Sequence, residues 1–210
     1  MIRWIAALIL FAETYAVVRY GVFKGVSMTH WPLYLNNKAL SLVGLALLGA
    51  SFAVRGTNGE TNTIAGGREA SARLARAGLA LVGLHVLMSL PLLGPGYFPQ
   101  FFAGDKMNLT GELSLLLGVI SFACFLGVAG LTLTAAPAGQ YSVRRLLAQR
   151  LGFLALVTAA GHVLVMGIAG WLTPKSWPGG MPPITLLAFL AVLIPLLWRS
   201  RRSRRGRPRH

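Results

Sequence analysis

Two histidines lie inside apolar stretches of the chain, where an ionisable side chain is costly and is usually functional. His85 and His162 each come twelve residues after an arginine and nine residues before the end of the stretch. If both stretches are helices that run in the same direction, a rise of 1.5 Å per residue places both imidazoles about 18 Å from the arginine end. The spacing therefore predicts two histidines at the same depth in a helical bundle.

Two neutral imidazoles that face each other across a bundle can bind a flat metal macrocycle at both axial positions, and haem b is the common case. Gly83 and Gly161 stand beside the histidines, while Gly78 and Ala155 precede them by seven residues. Small residues at these positions would let a porphyrin approach the backbone. A simpler alternative is that each histidine forms a hydrogen bond within the bundle and that the small residues serve helix packing.

The number of haem groups is limited by what lies four helical turns away from each histidine. A second macrocycle would need a ligand roughly 14 residues further along the same helix face. Ser71 and Ala148 occupy those positions, and neither side chain binds haem iron in this setting. The sequence predicts one haem at most.

Carboxylates in the apolar stretches support a different class of function. Glu13 interrupts the first stretch and Glu112 lies at the start of the fourth. Together with the two histidines, they are candidates for a proton relay in a small transporter or channel. A cofactor-free assembly subunit is a third alternative.

The composition identifies the elements that must position these side chains. Hydrophobic residues make up 55% of the 210 residues, charged residues make up 12%, and the mean hydropathy is +0.63. Because soluble domains contain about 25% charged residues, this composition predicts an integral membrane protein. Cys124 is the single cysteine, which excludes a disulfide framework and zinc-finger spacing.

Apolar windows of about 20 residues, the length that crosses a bilayer as a helix, occur six times. They predict an all-α, polytopic six-helix bundle in one domain, residues 1–198, followed by a basic tail, residues 199–210. The first window is predicted to remain as a span, because Glu13 and Arg19 interrupt it and no small-x-small cleavage site follows. The windows lie at about residues 4–22, 35–54, 74–94, 111–133, 148–171 and 183–198.

The placement of the basic residues predicts the orientation. Fifteen of the twenty lysines and arginines fall on the side of the N-terminus, the 55–72 connection, the segment before the fifth span and the tail. Basic-rich segments stay in the cytoplasm, so both termini are predicted to be cytoplasmic. Seven arginines in the last dozen residues favour anionic lipid headgroups over nucleic acid. The 55–72 connection, rich in Gly, Thr and Asn, is predicted to be a flexible connector.

One stretch of the chain resembles a known family. Residues 149–156 (QRLGFLAL), followed by His162 and Gly167, are similar to the fifth helix of the ferric-reductase-like transmembrane domain, as in the STEAP metalloreductases. Glu112 with Gly118 resembles the start of their fourth helix, and His85 takes the third-helix ligand position. The haem subunit of the bacterial methionine sulfoxide reductase system is similar through spans three to five. The resemblance covers about residues 70–198.

The resemblance implies that electrons pass from cytoplasmic NAD(P)H through a flavin, FAD or FMN, to one haem b near the outer face. It implies flavin contact at Gln149 and places a group of arginines near the flavin phosphates, although the cytoplasmic-side charge bias explains these arginines equally well. The arginines are Arg73, Arg76, Arg144, Arg145 and Arg150. At the outer face, Arg19, Lys38 and Lys106 are candidate contacts for an anionic substrate or the haem propionates, and snorkelling to the interface explains them equally well.

The resemblance also implies partners. The chain contains no Gly-x-Gly-x-x-Gly unit between a strand and a helix, so we expect a separate flavin reductase or NAD(P)H flavoprotein as the electron donor. The acceptor classes are a metal chelate, dioxygen, a quinone and a periplasmic reductase, and a homo-oligomer is compatible with the sequence. We predict a metalloreductase-like membrane component in the bacterial plasma (inner) membrane.

Overall fold

Six long helices make up most of the part of the chain that the structure describes, as the hydropathy predicts. The computed structural model describes residues 2–57, 64–133 and 141–205. Each helix, with its flanking turns, is long and apolar enough to cross a membrane, which fits a multi-pass membrane protein. The helices are α1 Ile2–Ala16, α2 Asn36–Thr57, α3 Ile64–Leu92, α4 Leu109–Leu133, α5 Tyr141–Trp171 and α6 Ile184–Arg205.

Short segments connect the helices at one end of the bundle, which we call the loop end. A π-helical segment, Val17–Phe23, extends α1, and a second one, Trp31–Leu35, leads into α2 after the 3-10 turn Met28–His30. Between α3 and α4, the 3-10 turn Pro99–Phe101 precedes a small antiparallel hairpin. The strands of this hairpin are β1 Phe102–Ala103 and β2 Lys106–Met107. The α5–α6 connection contains two 3-10 turns, Pro174–Ser176 and Pro178–Gly180.

Contacts between these connections show that they meet. The Nδ1 atom of His30 lies 3.0 Å from the hydroxyl of Tyr97, which joins the α1–α2 and α3–α4 connections. The Arg19 guanidinium donates to the carbonyl oxygens of Pro178 and Met181, which joins the end of α1 to the α5–α6 connection. We call the opposite end of the bundle, with the α2–α3 and α4–α5 connections, the terminal end.

The bundle is built from two helical hairpins. Helix α2 packs along α3, and α4 packs along α5, whereas the two hairpins touch each other only sparsely. Helix α6 packs on both α2 and α5 and so joins the hairpins, while α1 packs on α2. Helices α3 and α5 therefore stand diagonally across from each other, without close packing between their backbones.

Small residues allow the close approach within the first hairpin. A Cβ atom on Gly78 would lie 2.8 Å from Leu48 Cγ and 2.9 Å from the carbonyl oxygen of Gly44. At the equivalent point of the second hairpin, the Ser121 hydroxyl donates to the carbonyl oxygen of Ala155 at 2.8 Å. Because lipid is as apolar as the side chains, membrane helices associate through such close packing and interhelical hydrogen bonds.

Helix α6 contacts α2 through another small residue. A Cβ atom on Gly49 would lie 2.5 Å from the carbonyl oxygen of Ala191. Pro195, four residues further on, has no N–H to donate to that carbonyl. At this place Gly49 has no Cβ atom and the Ala191 carbonyl lacks its helical hydrogen bond, so the backbones of α2 and α6 can lie close together.

The ends of the helices differ from the predictions. Residues 55–57 belong to α2 and residues 64–72 to α3, so the prediction of a flexible 55–72 connector is wrong for both parts; residues 58–63 lie outside the described residues. Glu69 and Arg73 form an i,i+4 ion pair, which supports the added helix. Helix α6 continues to Arg205, so the predicted tail begins as a helix, which is consistent with the high helix propensity of arginine.

The glycine contacts give a test of the hairpin packing. We expect Gly78→Ala to lower the free energy of unfolding of the purified protein by about 1–3 kcal/mol. The reason is that the added Cβ meets the Leu48 side chain and the backbone of α2. Gly83→Ala on the same helix is the control, since a Cβ there would meet no atom within 4 Å. A thermal unfolding assay in detergent should rank Gly78→Ala below wild type and Gly83→Ala at or above it. Equal stability of the two variants would contradict this packing.

Candidate functional site

His85 on α3 is fixed by the start of α2. Its Nδ1 atom lies 2.6 Å from Asn37 Oδ1 and 3.1 Å from the backbone oxygen of the same residue. Both partners are carbonyl oxygens, which only accept hydrogen bonds, so Nδ1 must carry the proton. Asn37 is 3% exposed, and its Nδ2 donates to Ser89 Oγ at 3.1 Å. Ser89 in turn donates to the His85 carbonyl at 2.7 Å, which ties the three residues together.

His162 on α5 is fixed in the same way by α4. Its Nδ1 donates to the backbone oxygen of Ser114 at 2.6 Å, and the Ser114 hydroxyl lies 3.1 Å from the same nitrogen. A Cβ atom on Gly118 would lie 3.0 Å from His162 Nδ1. Glycine at this position gives the imidazole room against the backbone of α4.

The second ring nitrogen of each histidine is available. In the part of the chain that the structure describes, neither Nε2 atom has a hydrogen-bond partner. Neither atom is among the fully buried polar atoms that lack a partner, so each keeps some exposed surface. Each Nε2 therefore borders open space. Because Nδ1 carries the proton, Nε2 carries the free lone pair, which points into that open space. Metal-bound histidines have this arrangement, with the distal N–H given to a carbonyl oxygen.

The two histidines occupy equivalent places in the two hairpins. Each lies 48 residues after the residue that anchors it. The close helix contacts follow the same offset, because Gly78 and Ala155 each lie seven residues before the histidine of their hairpin. This equivalence supports the prediction that the two imidazoles lie at matching depth.

The pair of donors suits one kind of metal centre. His85 and His162 lie on α3 and α5, two helices that do not pack closely on each other. Among the described residues, no group of three or more His, Cys, Asp or Glu side chains could hold an ion. A protein-bound ion with only amino-acid ligands usually needs more donors than two. A macrocycle supplies four donors itself, so two axial imidazoles would complete the six-coordination of a haem iron.

Two of the small residues near the histidines take part in helix packing, as in the simpler alternative. Gly78 and Ala155 lie at the helix contacts within each hairpin. Gly83 is about 200° around the helix from His85, and a Cβ on Gly161 would contact Leu117 on α4 at 3.3 Å. Space for a flat group between the histidines must come from the sparse contact between the hairpins, since α6 holds them together on one side only.

At the terminal end, two of the residues proposed for flavin contact lie together. Gln149 and Arg145 line one depression of about 290 Å³ with Tyr141, Ser142 and Leu146. All five residues lie along a single face of α5, because their spacing follows the helical period. The depression is open and belongs to one helix.

The other arginines proposed for flavin phosphates are spread over α3 and α5. Arg144 is half-buried and Arg150 is exposed on α5, while Arg73 and Arg76 are exposed on α3. Glu69 already neutralises Arg73 through an ion pair.

At the loop end, the structure brings together two of the three predicted basic residues. Arg19 and Lys38 approach the ring of Tyr20, with their charged atoms 5.2 and 5.0 Å from its centre. Lys24, at 6.0 Å, joins them. Lys106 lies exposed on the short hairpin and makes no such contact with Tyr20.

The carboxylates of the predicted proton relay do not connect to the histidines. Glu13 is half-buried on α1, and Glu112 is exposed in the first turn of α4. Within the described ranges, no hydrogen bond joins either carboxylate to His85 or His162.

The sequence reasoning missed the three residues that orient the histidines. Asn37, Ser89 and Ser114 are polar residues in apolar stretches, and that was the available signal.

Comparison with known proteins adds no family to this description. A scan of the chain against models of known protein families finds no match, and a search of curated proteins finds none either.

Proposed function

We propose that the protein transfers electrons across a membrane by means of one haem b, bound axially by His85 and His162. The observation that carries this proposal is the state of the two imidazoles. Each gives its Nδ1 proton to a carbonyl oxygen and leaves Nε2 without a partner. Metal-bound histidines have this arrangement, with one N–H given to a carbonyl oxygen and the other nitrogen left for the metal.

The residues of this chain have the task of holding and orienting the ligands. Asn37 and Ser114 fix the tautomer and the direction of each ring, and the hydrogen bonds make each Nε2 a stronger donor. A bis-imidazole haem supplies one-electron chemistry between ferric and ferrous iron.

The direction of transfer follows from the charge distribution. We propose that the terminal end, which carries most of the basic residues, is cytoplasmic. A flavin supplied by a separate reductase would deliver electrons there, near Gln149 and Arg145. The loop end would face the acceptor, which is a metal chelate, dioxygen, a quinone or a periplasmic reductase.

The axial ligands give the first test. We expect His85→Ala and His162→Ala each to abolish or severely weaken haem binding, because a single imidazole leaves the iron five-coordinate. The helices should still insert, since alanine is readily accommodated in a span. The measurement is the visible spectrum and the haem-to-protein ratio of each purified variant. His30→Ala is the control, because that histidine is exposed at the loop end and bonds Tyr97 instead.

The outcome of this test separates the three classes of function. A normal bis-imidazole spectrum in both alanine variants would show that the ligands are elsewhere. A colourless wild-type preparation, made with ample haem supply, would favour a transporter or an assembly subunit.

The residues that anchor the histidines give a second test. A side-chain oxygen holds His85 and can be removed by substitution, whereas a backbone oxygen holds His162 and cannot. Asn37→Leu takes away the 2.6 Å bond to His85 and leaves the 3.1 Å bond to the backbone. Loss of such a partner typically costs 10–100-fold in metal affinity, so we expect haem retention to fall by about tenfold. Ser114→Ala keeps the backbone oxygen that binds His162, and its haem content should match wild type. Competition of each variant with apomyoglobin for haem measures the difference, and equal retention would contradict it.

The electron donor gives a third test. We expect Arg145→Glu to slow haem reduction by a reduced flavin, because the new charge repels the flavin phosphate, and Gln149→Leu to slow it through a lost hydrogen bond. Stopped-flow absorbance separates the reduction rate from the haem content. Arg201→Glu, a reversal at an exposed arginine of the same end, controls for overall charge. Unchanged rates in the first two variants would place the donor site elsewhere.

A further inference from the structure

Three positive charges gather around one tyrosine at the loop end. The Arg19 guanidinium, the Lys24 ammonium and the Lys38 ammonium lie 5.2, 6.0 and 5.0 Å from the centre of the Tyr20 ring. We call these four residues the Tyr20 cluster. Arg19 and Tyr20 are buried, so part of the charge lies in a region of low dielectric constant. Cations that share one neighbouring ring repel each other, and the repulsion is less screened where water is excluded.

Among the residues that the structure describes, no carboxylate forms an ion pair with these charges. The ion pair found among the described residues joins Glu69 and Arg73, on α3. Tyr34 and Phe98 add two further rings near Lys38, with centres 4.5 and 5.7 Å from its ammonium. Aromatic rings attract a cation through their quadrupole, but they carry no net charge. The Tyr20 cluster therefore has an excess of positive charge that the described part of the chain does not neutralise.

Arg19 leaves one donor unused. Its side chain is 4% exposed, and its Nη1 atom donates to the carbonyl oxygens of Pro178 and Met181. Its Nε atom is sealed from solvent and has no hydrogen-bond partner, the one such side-chain atom in the part of the chain that is described. A buried donor without a partner is costly, and most of these donors in proteins are satisfied.

The backbone around the cluster is unusual as well. Tyr20 lies in the π-helical segment Val17–Phe23, and Tyr34 lies in the π-helical segment Trp31–Leu35. Such segments are rare and occur frequently at functional sites. The two irregular segments place Tyr20 and Tyr34 edge to face, with ring centres 6.2 Å apart.

The surroundings of the cluster combine charge with exposed apolar surface. Lys24 is exposed, and close to it in the chain Val22, Phe23 and Met28 are 65%, 54% and 75% exposed. These side chains lie where the spans end and the connection begins. Charged and apolar groups side by side suit a ligand that has an anionic head and an apolar tail.

We propose that the Tyr20 cluster binds a phosphate group, supplied by the headgroup of an anionic lipid or by free phosphate. Several oxyanion lone pairs match the ammonium groups of Lys24 and Lys38, and the Arg19 guanidinium adds its positive charge. The negative charge of the phosphate offsets the repulsion among the three cations. The inference does not depend on haem, because the contacts that carry it do not involve His85 or His162.

The test uses the full chain and two conservative variants. Wild type, Lys24→Gln and Lys38→Gln are reconstituted in nanodiscs of phosphatidylcholine with increasing phosphatidylglycerol, and native mass spectrometry counts the phosphatidylglycerol that each protein retains after release. Lys106→Gln is the matched control, since it removes the same charge from the same end of the bundle. Arg19→Gln is not used alone, because Arg19 also joins two connections.

We expect phosphatidylglycerol to bind about fivefold more weakly to Lys24→Gln and to Lys38→Gln than to wild type. Its binding to Lys106→Gln should equal that to wild type. Titration of inorganic phosphate by calorimetry, in detergent without lipid, distinguishes the source. Binding that the same two variants weaken identifies free phosphate as a ligand, whereas lipid retention without phosphate binding identifies the headgroup. Equal retention and equal phosphate binding in all four proteins would overturn the proposal. Haem content is measured in parallel, so failure of this site is distinguished from failure of the haem centre.

Discussion

The hydrogen bond from each histidine Nδ1 to a carbonyl oxygen on the preceding helix is the interaction on which the site depends. Inside apolar helices no water satisfies an imidazole N–H, so the ring must find its partner in the protein. A neighbouring helix can offer its backbone oxygen only where the two backbones run close together. Gly44 and Gly78 allow that approach in the first hairpin, and Gly118 gives His162 its room in the second. The close helix packing at small residues therefore also sets the direction of the imidazoles.

The same arrangement explains why the site has two equivalent halves. Each hairpin orients its own histidine through contacts made within that hairpin, at an equal distance along the chain. The proposed ligand would sit between units that are each already in place, held together by α6 on one side. Rigid ligands lose little freedom on binding, which favours tight retention of a flat group. The Tyr20 cluster lies outside this arrangement, at the loop end, where connections from several helices meet.

The sequence by itself determined the helical elements and predicted one depth for the two histidines. A run of apolar residues must be buried in protein or lipid, and backbone polar groups in lipid must be satisfied within a helix, so hydropathy alone predicted six helices. A constant rise per residue then predicted that His85 and His162 lie at one depth. Helix ends were less predictable, because a helix does not stop where the apolar window stops. Helix α6 continues to Arg205, and α2 and α3 both extend into the predicted 55–72 connector.

Only the tertiary structure decided which groups face each other. His162 donates to a backbone carbonyl oxygen, a group that every residue carries, so the sequence gives no sign of which one accepts the bond. Periodicity placed Gly78 and Ala155 on the histidine faces, but it did not reveal that those faces lie against a helix of the same hairpin. Arg19, Lys24 and Lys38 come from a helix end, a connection and the next helix, and their common approach to Tyr20 results from how irregular segments fold back. Local sequence sets the period of each helix, whereas contacts between helices depend on shapes and backbone groups from distant parts of the chain.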